Sequence, residues 1–317
     1  MTLFAIRHRT AYRYAKAVEL AEHRLMFRPR DSYDQHLLEA TLVVTPEPKS
    51  VRWIHDVFGN CVAIVDFDAR TRELIFESNI RIDHTPLHSP DFQIDAAAVD
   101  YPFPYGDSDM PDLASTLRRH YSDSNDELGH WARQFVVAGR ANQTGTVLMT
   151  LCCAIQESFG YRRRLEAGTQ TPLQTLQSRH GTCRDFAVLM MEAVRSLGFA
   201  ARFVTGYIYV ADRDGAPNLG GGSTHAWCQV YVPSAGWVEF DPTNGIVGSR
   251  DLIRVAVART PAQAIPLSGS YVGSSSDSRG MTVQVNVTTE TCLPERQPTR
   301  REACLAGGRV QPIGSVA

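Results

Sequence analysis

Apolar and polar side chains alternate with period two along the first eighty or so residues. Phe4, Ile6, His8, Thr10, Tyr12 and Tyr14 share one parity, and Leu74, Phe76, Ser78, Ile80 and Ile82 repeat the pattern. This is the spacing of a strand with one buried face. Turn-forming residues punctuate the runs at Arg28-Pro29-Arg30, Pro46-Glu47-Pro48 and Phe58-Gly59-Asn60, so about six strands fit, enough for an antiparallel β-sandwich. Residues 1–85 are therefore expected to form a β-sandwich-like N-terminal region. Residues 86–112 are rich in Asp and Pro, a composition that predicts an extended linker.

The period then changes to that of helices. Pro111 suits a first helical position, Trp131, Phe135 and Val136 mark a second helix, and Leu148, Leu151, Cys152, Ile155 and Phe159 a third. Thr171-Pro172-Leu173-Gln174 has the form of a capping box and opens a short helix ending near Arg179. Phe186, Leu189, Met190, Ala193, Val194 and Leu197 follow at helical spacing, and Gly198 sits where a helix stops. Strand-like runs occupy 199–210, 225–232 and 237–241, with a glycine-rich loop at 211–224. The overall expectation is an α+β chain with a core over 113–290, and the Pro, Arg and Gly content of 291–317 predicts a disordered tail.

Composition narrows the function. With 43% apolar and 21% charged among 317 residues, the chain can bury a sizeable core, which excludes wholesale disorder. Lys plus Arg number 32 against 34 for Asp plus Glu, so no global field attracts phosphate backbones or anionic lipid, and neither nucleic acid nor membrane is an expected partner. Arg7, Arg9 and Arg13 interrupt the opening where an export signal needs an apolar run. Seven cysteines, an odd number thinly scattered, point to reduced thiols and a cytoplasmic location.

Of these cysteines, Cys183 has the most suggestive surroundings. Thr182 can cap the helix, with Asp185 reaching back from its third position, which makes Cys183 the first helical residue. Its sulfur then feels the positive end of the helix dipole, which favours thiolate, and its own backbone N–H, unpaired within the helix, can serve an oxyanion. His225 opens one later strand and Asp241 ends the next. If the connecting loop runs Val232 to Gly236, Tyr231 pairs with Trp237 and Asp241 lies diagonal to His225 on one face, about 7 Å apart at the backbone. A four-residue loop would place them on opposite faces. Asp212-Arg213-Asp214-Gly215 lacks the third carboxylate and closing glutamate of a calcium loop, and Cys152-Cys153 lacks metal-ligand spacing. No phosphate-binding glycine loop occurs, so no cofactor or metal is expected.

Gly181-x-Cys183-x-Asp185-Phe186-Ala187, Leu197-Gly198-Phe199-Ala200-Ala201-Arg202-x-Val204-x-Gly206-Tyr207, His225-Ala226-Trp227 and Gly236-Trp237-x-x-Phe240-Asp241-Pro242-Thr243 together resemble the bacterial transglutaminase-like proteins of the papain-like thiol superfamily. His8-x-Thr10-x-Tyr12-x-Tyr14, Arg28-Pro29-Arg30 and Asp56-x-Phe58-Gly59-Asn60 are similar to the N-terminal region such proteins carry. The resemblance implies a papain-like core with the catalytic cysteine at a helix N-terminus on an antiparallel sheet. Cys183 would be the nucleophile, His225 its base and then acid, and Asp241 the residue orienting the imidazole. Some relatives use an upstream tryptophan as second oxyanion donor. No tryptophan lies between 132 and 226, which leaves Tyr161 as the candidate. The implied activity is acyl transfer at amide or isopeptide bonds of a protein or peptide through a thioester. Hydrolysis is favoured over crosslinking because the loop 211–224 brings no clustered aromatics to shape an amine tunnel. The competing class is a binding protein that keeps the fold without turnover. Ile253 to Pro261 resembles a family strand but lacks its usual Gly-Arg-Asp ending.

Overall fold

The structure, a computed structural model, describes residues 2–85, 93–162, 168–209 and 222–290. The chain is mixed α+β. Its N-terminal part is built on one 24-residue strand, β1 (Thr2–Leu25), followed by β2 (Gln35–Thr45), β3 (Ser50–His55), β4 (Cys61–Asp66) and β5 (Arg70–His84). These are joined by two strands from the far end of the chain, as shown below. The helices α1 (Met110–Leu117), α2 (Glu127–Arg133), α3 (Thr144–Ser158), α4 (Pro172–Ser178) and α5 (Cys183–Ser196) come next. Strands β6 (Ala201–Ile208), β7 (His225–Val232), β8 (Gly236–Asp241), β9 (Leu252–Ala258), β10 (Leu267–Val272) and β11 (Ser278–Glu290) complete the chain. Among the described residues, no helix is long and apolar enough to cross a membrane.

The expected sandwich is instead a single curled antiparallel sheet in the order β2-β5-β1-β4-β3, with β10 and β11 added along β1. β1 runs its whole length without a break. Its pairing with β5 shifts register between Arg13 and Val18, and beyond that point it pairs with β4 and β10. A shift of this kind bends a strand without ending it. Residues 267–290, read from sequence as part of the core, pair with β1 across a separation of more than 200 residues. Alternation identifies a strand but not the sheet it enters, and the pairing is non-local. The expected linker also differs in its described part. Tyr101 stacks on Phe199 with centroids 5.1 Å apart and donates its hydroxyl to Leu197 O at 2.8 Å, while the Tyr105 hydroxyl donates to Tyr231 O at 2.9 Å. Pro102 and Pro104 between these aromatics, with Asp on either side, masked an ordered strap. The proposed tail lies outside the described residues, as does the glycine-rich loop except for 222–224.

The second sheet runs β8-β7-β6-β9, extended beyond β8 by the two-residue strand Ile246–Val247. Alternation puts Ala226, Cys228, Val230 and Phe240 against α5, where Phe186, Met190 and Val194 are buried. The other parity carries His225, Trp227, Gln229, Glu239 and Asp241. Arg254 on edge strand β9 reaches Glu239 on β8 at 2.8 Å although two strands lie between them, so this face is concave. Two amide side chains tie the N-terminal region to the same edge. Asn60 exchanges hydrogen bonds with Val257 N and O at 2.9 and 2.7 Å, and Gln35 with Arg254 N and O at 2.9 and 2.8 Å. Each imitates a neighbouring strand, satisfying ladder groups that an edge leaves open.

Candidate active site

Cys183 is the first residue of α5, as its sequence context implies. Asp185, fully buried, accepts from Thr182 N–H at 2.8 Å and from the Thr182 hydroxyl at 2.9 Å. Its other oxygen accepts from Gln170 N–H at 2.7 Å. One carboxylate thus fixes the turn before the thiol, the helix start and the chain entering α4. Gly181 is required by the same crowding, because a Cβ there would lie 2.8 Å from Asp185 Cβ.

The hairpin between β7 and β8 has the register that permits a contact. Tyr231 pairs with Trp237 and Val232 with Gly236, so Asp241 falls diagonal to His225. His225 Nε2–H donates to Asp241 Oδ2 at 2.8 Å. Asn244 Nδ2 donates to the same oxygen at 2.7 Å, and Thr243 N–H to Oδ1 at 3.0 Å. With three donors on it, the Asp241 carboxylate cannot swing away. On the opposite side of β7, His225 pairs with Gly206. A Cβ on Gly206 would sit 2.0 Å from Ile253 O, so only glycine lets β9 close against β6 beside the imidazole.

With Nε2 engaged by Asp241, Nδ1 is the nitrogen left for the thiol. It is buried and has no partner of ordinary hydrogen-bond geometry. The electrostatics are those of an ion pair held out of water. Burial pushes the Cys183 thiol up, but its interaction with His225, aided by Arg184, outweighs this and holds it below the usual thiol value. Burial likewise disfavours the imidazolium, yet Asp241 and the Cys183 sulfur push His225 up to about 10. Asp241 is held low, burial being overcome by His225, Asn244 and the Thr243 amide. Cys152 and Cys228, also buried, are pushed well above the ordinary thiol range by desolvation, with like charges adding to it. Neither has an imidazole partner.

Tyr161 lies in a two-residue parallel bridge beside Gly181, two positions before Cys183. That places its backbone next to the thiol's turn. Three contributors escaped the sequence reading. Asn244 could have been suspected from Asp241-Pro242-Thr243-Asn244, where an Asx turn brings side chains back to the aspartate. Trp227, stacked against His225 at 5.9 Å between centroids, shares its strand parity. Arg184 is adjacent to the thiol in sequence but had no signal of its own.

Residues 4–83 match the bacterial transglutaminase-like N-terminal region and residues 129–242 the transglutaminase-like superfamily core. An uncharacterized protein of Mycobacterium tuberculosis is 27% identical over 284 residues, covering 87% of this chain and 89% of its own. One from Mycobacterium leprae is 23% identical over 286 residues, covering 88% and 96%. In fold, the chain is similar to the crystal structure of a candidate cysteine protease from Cytophaga hutchinsonii, with TM-score 0.69, 20% sequence identity and 92% of each chain covered. The chain thus carries a bacterial transglutaminase-like N-terminal region followed by a transglutaminase-like core domain.

Proposed function

We propose that the protein is a thiol hydrolase that cleaves amide or isopeptide bonds of protein or peptide substrates in the cytoplasm through a thioester on Cys183. The observation that carries this reading is the aligned set Cys183–His225–Asp241, in which the cysteine is shifted toward thiolate while its buried neighbours Cys152 and Cys228 are shifted away from it. A binding scaffold has no use for that difference.

The steps follow from the geometry. The Cys183 thiolate attacks the carbonyl carbon, and the developing oxyanion is met by the Cys183 backbone N–H, which has no acceptor within its own helix. The His225 imidazolium gives its proton to the leaving nitrogen, so the C–N bond breaks, an amine departs and a thioester remains. Neutral His225 then takes a proton from water, whose oxygen attacks the thioester. The product acid leaves and the thiolate–imidazolium pair returns. Asp241 touches no reacting atom and acts as a positioning residue. Hydrolysis is preferred to crosslinking on the likeness in fold to a candidate cysteine protease. The aromatic-poor loop invoked for that preference lies mostly outside the described residues.

The test incubates wild type and Cys183→Ala with a glutaminyl peptide library and a labelled primary amine, read by mass spectrometry. Cysteine-dependent release of free acid exceeding amine incorporation is expected. The reverse ratio makes the protein a crosslinking enzyme, and neither product makes it a binding protein.

A further inference from the structure

One sizeable cavity has none of Cys183, His225 and Asp241 in its lining. About 650 Å³ in volume, it lies between the concave face of the second sheet and the 30–34 segment of the N-terminal region, a size suited to a small organic ligand. Its charged wall is mostly paired. Arg254 donates to Asp34 Oδ1 and Oδ2 at 2.6 and 3.0 Å, to Glu239 Oε1 at 2.8 Å and to the Ser32 hydroxyl at 3.1 Å. Glu239 also accepts from Gln229 and from the Trp227 indole.

Arg202 is different. Its Nε donates to Gln229 Oε1 at 2.6 Å, and its guanidinium lies over the Trp237 ring at 4.1 Å. These contacts fix the plane of the group while leaving its two terminal amino groups without a carboxylate. Among the described residues no acid forms a salt bridge with it, although burial opposes its charge and draws its pKa down to about 10. A half-buried guanidinium with an open fork on a cavity wall is an arrangement that a planar, two-oxygen anion completes. Trp237, Val238 and Val257 supply apolar wall nearby, and Tyr33, 83% exposed, stands at the rim.

We propose that this cavity is a second ligand site, separate from the thiol, that takes a small organic carboxylate, its two oxygens on the terminal amino groups of Arg202 and its apolar body along Trp237 and Val257. The site is independent of whether Cys183 turns over.

Isothermal titration with 3-phenylpropionate, its neutral amide and inorganic phosphate tests it on the full chain. Wild type and Cys183→Ala are expected to bind the carboxylate alike, with the amide at least tenfold weaker and Arg202→Lys weakened about as much, since lysine keeps the charge but loses the fork. The acid-against-amide comparison needs no variant and stands even if the Arg202 substitution disturbs folding. Equal affinity for acid and amide, no saturable binding, preference for phosphate, or loss of binding in Cys183→Ala would each overturn the assignment.

Discussion

Two buried ionic clusters lie on the same sheet, joined through Trp227, and they are built to opposite ends. Around Arg254, one guanidinium is shared by Asp34 and Glu239, and further neutral donors close the network. Around His225, Asp241 is equally well satisfied, but the chain of partners ends on Nδ1 and the Cys183 thiol, which has only the imidazole and nearby Arg184 to favour its charge. Burial raises the energy of charge in both places. The first arrangement spends its pairing on holding the N-terminal segment to the sheet. The second leaves an activated sulfur at the end of the line. Removing a charge should therefore cost folding at one cluster and chemistry at the other.

The largest effect expected is on turnover. Cys183→Ala should lower kcat on the amide substrate by about 10⁴-fold or more with little change in the melting temperature, measured by peptide cleavage and calorimetry. Next comes Arg254→Met, expected to destabilise the fold by about 3–5 kcal/mol in denaturant titration, because breaking a buried pair strands Asp34 and Glu239. A variant that retained full stability would remove the contrast between the clusters. Gly206→Ala, which forces a methyl onto the Ile253 carbonyl, should cost about 1–3 kcal/mol and lower activity as well, since His225 pairs with that residue. Thr171→Ala removes the cap that accepts from Gln174 N–H at 3.2 Å. Contributing no charge to either cluster, it should cost only about 1 kcal/mol and leave kcat unchanged.

Two parts of the candidate cluster were legible in the sequence because their geometry is local, while the pairing of Cys183 with His225 came only from the family resemblance. Thr182 and Asp185 define the start of α5 within four residues, and the hairpin between Tyr231 and Trp237 fixes the parity that brings His225 and Asp241 together. The Arg254 cluster was not legible, since Asp34 and Arg254 are 220 residues apart and the family-like run Ile253 to Pro261 names no partner for Arg254. The same limit hid the single sheet in place of a sandwich. Whether β1 breaks near Tyr14 or bends there depends on β4, β10 and β11, not on the residues at the bend. Asn60 read as a turn residue and Gln35 had no reading, yet both serve as substitutes for a missing strand.

Titration links the thiol to stability and to rate. An unfolded histidine titrates near 6.5, and His225 does so at about 10. Its contribution to folding is therefore complete below about 6.5 and is lost as pH rises through about 10. The ion pair exists between the lowered Cys183 value and that upper limit. The most direct measurement is the rate of iodoacetamide alkylation at Cys183 against pH, located by mass spectrometry, for wild type, His225→Ala and Asp241→Asn. The account predicts that wild-type Cys183 reacts faster than Cys153 at neutral pH, with an acid limb below the ordinary thiol range. It also predicts that Asp241→Asn and His225→Ala move that limb upward. A wild-type limb at or above the ordinary thiol value, unchanged in either variant, would contradict it.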